Sequence, residues 1–181
     1  MPDQVADYET AASGFASVLA QCPDDLSMPS PCEGWTAQDV VDHVTGGPPY
    51  YAKAWGGQAP EVDATADRAA RYTAEHRALA EVCRRPGVLD QMVDSPLGGG
   101  EIPAGIMFGI LTADTLIHTW DLARAIGVDV QLDQDLLQRT WDGLIPMEAM
   151  LRRPEVFGPP VEVAADAPLQ DRAMAWFGRQ P

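Results

Sequence analysis

The 181 residues carry 27 Asp or Glu against 12 Lys or Arg, a formal charge of -15, with 46% hydrophobic and 22% charged side chains. That apolar fraction excludes a disordered chain, and the length suits one globular domain over 1–181. So acidic a surface repels phosphates, which sets aside DNA, RNA and anionic membranes as partners.

The opening Met-Pro-Asp-Gln-Val-Ala-Asp is acidic where a secretory signal is basic and then apolar, so no export segment is expected. Val5, Tyr8, Ala12, Phe15 and Leu19 recur at helical spacing and predict an amphipathic helix over 3–21, ended by Pro23. After a loop over 23–34 a second helix starts: Thr36 suits the N-cap, Asp39 the third helical position, and Trp35 can staple onto Val40. Gly46, Gly47, Pro48 and Pro49 predict an interruption, with a kink near Gly46 and a resumed helix through Trp55. A third helix is expected over 64–85, with His76 among charges on a solvated face.

The stretch 89–105 reads as a long loop with one short extended piece around 89–93, and Gly98-Gly99-Gly100 as a flexible turn, not a phosphate cradle. A fourth helix runs from about Ala104 to Ile126, with Gly127 as a left-handed cap. The apolar-leaning stretch 102–113, broken by Pro103 and Gly105, is too short to cross a bilayer. A fifth helix over 133–151 should bend or break at Pro146, and its exposed apolar surface suits either the bundle or a homodimer. An extended tail over 157–164 and a short helix over 169–177 follow. Cys22, Cys32 and Cys83 fit neither a disulfide framework nor a thiolate metal site, so a reducing cytoplasm is the expected compartment. Helices dominate, and the fold class expected is an all-α bundle.

The chemistry gathers on the fourth helix. At about 100° per residue, Asp114, His118 and Asp121 fall within about 60° of one another and share their face with Met107, Ile110, Ile117 and Ala125. Burying such groups is costly unless hydrogen bonds, a water-filled pocket or a metal ion compensates. Asp114 and His118, at i and i+4, can hold one cation between them; His43, on the second-helix stripe with Val40, Gly47 and Tyr50, offers a third ligand. Two imidazoles and one carboxylate suit Zn²⁺, Ni²⁺ or Fe²⁺ and leave coordination positions open. Asp121 is placed to accept the second ring N–H of His118. On spacing alone the same residues also read as a surface ion pair and a satisfied core histidine, so the triad stays open at this level. Cys32 reads as a buried or incidental thiol, Glu101 as a weak further ligand, and Trp120 as packed against a neighbouring helix.

Two blocks carry a family resemblance: Pro31-Cys32-Glu33-Gly34-Trp35-Thr36-Ala37-Gln38-Asp39-Val40-Val41-Asp42-His43, and the run from Asp114-Thr115-Leu116-Ile117-His118 to Gly127, with Phe157-Gly158-Pro159-Pro160-Val161 and Gly178-Arg179 near the end. The chain resembles the actinobacterial metal-binding proteins related to the N-terminal domain of mycothiol-dependent maleylpyruvate isomerase, within the DinB/YfiT-like group. The resemblance implies a DinB/YfiT-like four-helix bundle, here with an additional C-terminal helical segment and a short extended tail. In that bundle the matching His43, Asp114 and His118 bind a divalent metal, usually zinc. The isomerase has a glutamate where this chain has the shorter Asp114, and a continuous second helix where this chain has Gly46-Gly47-Pro48-Pro49. Its separate C-terminal domain has no counterpart here, and no motif places its site arginine among Arg68, Arg71 and Arg77. The function implied is a metal-dependent isomerase or S-transferase that uses a mycothiol-type thiol on a small electrophile. The rivals are a metal-dependent hydrolase using metal-bound water and a non-catalytic metal- or ligand-binding stress protein.

Overall fold

The Asp3 carboxylate starts α1 (Gln4–Leu19) by accepting hydrogen bonds from the backbone N–H groups of Val5 and Ala6. Tyr8, Ala12, Phe15 and Leu19 are buried, so the apolar stripe is the packing face. The computed structural model describes residues 3–58, 60–63, 65–95, 100–153 and 156–181.

A capping box between Thr36 and Asp39 opens α2 (Ala37–Ala54), as the sequence predicts. The expected interruption is absent: α2 runs unbroken through Pro48 and Pro49. Each proline removes an intrahelical N–H and crowds the preceding turn, yet Pro48 is itself buried and α2 packs on both α3 and α4. Packing outweighs the local penalty. Gly47 permits a close approach to α4, since a Cβ there would lie 3.2 Å from Leu111 Cδ1.

The Asp67 side chain caps α3 (Arg68–Cys83), which begins four residues later than expected. Tyr72, His76, Leu79 and Cys83 form its buried stripe. His76 is therefore not solvated as expected: it is 3% exposed and lies against the rings of Tyr8 and Tyr72. Its charged neighbours Glu75 and Arg77 point to other faces of the helix, so adjacency in sequence misleads. Burial, with the Arg77 charge, pushes the His76 ring down to about 4 against the pull of Glu9. The unfolded chain then binds this proton first, so the contribution to stability is full above about pH 6.5 and is lost as pH falls towards 4. Urea titrations at pH 7 and pH 4 should differ by about 2 kcal/mol more in the parent than in His76→Phe.

The predicted long loop contains a short antiparallel hairpin, β1 (Met92–Asp94) with β2 (Glu101–Pro103), in which Val93 opposes Ile102. Of the glycine turn, positions 98 and 99 lie outside the described residues. Then α4 (Ala104–Ala125) ends before Gly127, whose φ of +73° is the left-handed cap the sequence suggests. The predicted break at Pro146 is a 3-10 turn, Ile145–Met147, between α5 (Gln134–Leu144) and α6 (Glu148–Leu151). Residues 157–164 form no strand, although Val161 N–H donates to Ala175 O beside α7 (Leu169–Trp176).

The architecture is all-α, with the hairpin as a minor addition. Neighbours in the four-helix bundle run α1, α3, α2, α4 and back to α1. Tyr8, Phe15, Leu79 and Phe108 are among the side chains filling its centre. A second apolar cluster joins Leu116, Ile117 and Trp120 of α4 to Leu136 and Leu137 of α5 and to Met174 and Phe177 at α7. Trp120 thus packs on neighbouring helices, and α4 is covered on nearly every side. Among the described residues, no helix is long and apolar enough to cross a membrane.

Candidate metal centre

The α2–α4 seam brings His43, Asp114 and His118 together, with one donor atom of each within 4.8 Å of the others. His43 Nε2–H donates to Asp114 Oδ2 at 3.0 Å, and His118 Nε2 stands 3.4 Å from Asp114 Oδ1. The His118 side chain is 9% exposed, whereas those of His43 and Asp114 are 43% and 33% exposed, so the cluster opens to solvent on one side. Trp35 covers the rings: it stacks on His118 at 10° between planes and meets His43 edge-on.

On the far side of the His118 ring, Nδ1–H donates to Asp121 Oδ2 at 2.9 Å. Asp121 is fully buried, and its carboxylate is gripped by Arg179, Nε to Oδ1 at 3.1 Å and Nη2 to Oδ2 at 2.8 Å. Cys32 completes this cluster. Its Sγ–H donates to Asp121 Oδ2 at 3.2 Å, and Sγ accepts from Arg179 Nη2 at 3.1 Å. The loop that delivers Cys32 and Trp35 is closed by Ser30 N–H to Trp35 O and Trp35 N–H to Cys32 O, with Gly34 turning at φ +78°.

The electrostatics are those of alternating charge. Burial disfavours an ionised Asp114, but the His118 and His43 rings outweigh it and hold its carboxyl well below the usual range. Burial likewise disfavours a charged His118, yet Asp114, Asp121 and Cys32 draw its pKa upward. Asp121 is held low against its burial by His118 and Arg179.

Two groups of donors share His118: His43 with Asp114, and Cys32 with Asp121. The second already has a cation, the Arg179 guanidinium, against both its sulfur and its carboxylate. Among the described residues, the first has none besides the rings themselves. Nδ1–H is committed to Asp121, so Nε2 is the His118 nitrogen turned to Asp114, where a divalent cation could take the place of the proton between ring and carboxylate. Donors about 2.1 Å from one tetrahedral ion lie about 3.4 Å apart, and the His43 and His118 nitrogens stand 3.0 and 3.4 Å from the two oxygens of Asp114. The donor set and its spacing fit a divalent metal.

Farther along the same seam, a cavity of about 280 Å³ opens between Tyr50 and Tyr51 of α2, Trp55 just after it, Met107 of α4 and the hairpin carboxylates Asp94 and Glu101. Glu101, considered above as a further ligand, stays on this hairpin opposite Asp94 and joins neither donor group. Neither this cavity nor a larger one of about 520 Å³ between α2 and α3 is lined by any of the three donors.

Sequence reasoning missed two residues. Cys32, read from the sequence as a buried or incidental thiol, contacts Asp121 and Arg179, and the arginine that the sequence left unassigned at this centre is Arg179. The signal for both was present in the Pro31-Cys32 and Gly178-Arg179 blocks, without a partner to assign them to.

Residues 8–123 match the family described as the mycothiol maleylpyruvate isomerase N-terminal domain. The chain belongs to this family. It is 34% identical over 139 residues to the uncharacterized protein Rv0738 of Mycobacterium tuberculosis strain H37Rv, covering 74% of this chain and 73% of that one. The uncharacterized protein MT0763 of Mycobacterium tuberculosis strain CDC 1551 is similar to the same extent. No solved structure matches significantly. The all-α bundle is consistent with the DinB-like fold expected of the family, and the family links the chain to mycothiol-related function. The matched region contains His43, Asp114, His118, Asp121 and Cys32 but ends before Arg179.

Proposed function

We propose that this chain is a divalent-metal protein, ligated by His43, Asp114 and His118, that acts with a mycothiol-type thiol as an isomerase or S-transferase on a small electrophile. The observation that carries the reading is the grouping of three donors within 4.8 Å of one another while Asp121 occupies the other nitrogen of His118. Zinc suits two imidazoles and a carboxylate best, and nickel or iron would be accepted by the same set. When bound, such an ion supplies a Lewis acid that favours the thiolate of a thiol at neutral pH. The chain's own groups do the rest: Asp121 orients His118, Trp35 shields the rings, and the seam cavity lined by Tyr50 and Tyr51 has room for a substrate body.

Elemental analysis of protein purified without a histidine tag or chelator tests the metal. About one equivalent is expected in the parent, with a large loss in His43→Ala and in His118→Ala; no metal even after reconstitution would overturn the reading. Adding mycothiol to a cobalt-substituted sample tests the thiol, and an unchanged visible spectrum would count against it. Turnover that persists in thiol-free buffer would favour the hydrolase reading instead.

A further inference from the structure

Arg179 lies 58 residues beyond Asp121 and outside the matched family region, yet its side chain is nearly buried at the heart of the candidate centre. Its backbone N–H donates to Met174 O at 2.9 Å and its Nη1 to Phe177 O at 3.0 Å, so the guanidinium is fixed to the end of α7. The chain turns into this position at Gly178, where φ is +83° and a Cβ would lie 3.1 Å from Gly158 O. From there Arg179 reaches both carboxylate oxygens of Asp121 and the sulfur of Cys32. One guanidinium therefore ties together the loop before α2, the C-terminal end of α4 and the C-terminal tail.

We infer that Arg179 is a positioning residue for the metal centre: through Asp121 it fixes the ring and tautomer of His118, and so couples metal binding to docking of the C-terminal segment. This rests on the metal reading of His43, Asp114 and His118. The two-point grip sets the plane of the Asp121 carboxylate and aims Oδ2 at His118 Nδ1, which leaves Nε2 as the nitrogen facing Asp114. Without the grip, a carboxylate with no exposed surface keeps only the His118 ring and the Cys32 thiol, both on Oδ2, and its Oδ1 loses the Arg179 Nε–H. The coupling is reciprocal: whatever factor the docked tail adds to metal affinity, the metal adds to tail docking.

The test is zinc affinity, measured by competition with a chromophoric chelator, for the parent, Arg179→Lys, Arg179→Ala, Asp121→Asn and the Arg179→Ala/Asp121→Asn pair, with circular dichroism reporting the fold. Losses of about 10- to 100-fold are expected for Arg179→Ala, with a smaller loss for Arg179→Lys. The double variant should bind no more weakly than Asp121→Asn alone, because Arg179 acts through Asp121. Nitrogen-15 NMR should show the Nδ1–H tautomer of His118 in zinc-loaded parent and its depletion in Arg179→Ala. Zinc should also slow amide exchange at 174–179 in the parent, a measurement that needs no variant and decides the matter if Arg179→Ala does not fold. Parent-like affinity in Arg179→Ala, losses that multiply in the double variant, or exchange at 174–179 indifferent to zinc would overturn the inference while leaving the metal reading intact. A parent that binds no zinc would overturn the metal reading itself.

Discussion

Replacing Asp121 by alanine should cost about 3–5 kcal/mol of folding stability, read as a drop in the urea midpoint at pH 7. The side chain is fully buried and answers three donors at once: Arg179, the His118 ring and the Cys32 thiol. Its loss would leave a guanidinium, itself only 7% exposed, in an apolar interior without a counter-charge. Removing both charges is a different matter. The Asp121→Leu/Arg179→Met pair should recover most of the loss, because well-packed apolar groups commonly replace a buried ion pair at little cost. A drop below about 1 kcal/mol in Asp121→Ala would mean that Arg179 swings out to water, and that the C-terminal tail is held by apolar packing alone.

Metal loading should raise the melting temperature by about 5–10 °C. An ion that binds only the folded chain, present at a hundredfold its dissociation constant, adds about 2.7 kcal/mol. For a chain of this length each kcal/mol corresponds to about 2–4 °C. The shift should vanish with a chelator and be absent in His118→Ala, whose remaining donors His43 and Asp114 sit at the more exposed side of the cluster. Scanning calorimetry with zinc, nickel and cobalt in turn would rank the metals by the same reading. An equal shift in the parent and in His118→Ala would place the ion elsewhere on this acidic surface.

How much of this was readable in advance follows from the range of the forces involved. The shared face of Asp114, His118 and Asp121 was legible because helical periodicity is local, and the observed contacts lie along one helix. The Thr36 capping box and the Gly127 cap were legible for the same reason. The cluster of Cys32 and Arg179 was not, since those residues lie 147 positions apart and meet only after the 30–35 loop closes and the tail folds back. Pro48 and Pro49 were misread because a local rule was applied where packing on two neighbours decides. His76 was misread from its neighbours at i±1, although a helix sorts its faces at i±3 and i±4.

The two apolar clusters that share α4 also constrain how such a chain can be inherited. Apart from Ala11, the buried residues clustered with Leu116, Ile117 and Trp120 all come after position 123, where the family match ends. A recombination event that swapped the C-terminal portion for an unrelated one would uncover these side chains and deprive Asp121 of its cation in one stroke. Any replacement must therefore arrive with its own greasy lid and its own buried positive charge. Positions 8–123 and the segment beyond them are thus not freely interchangeable parts.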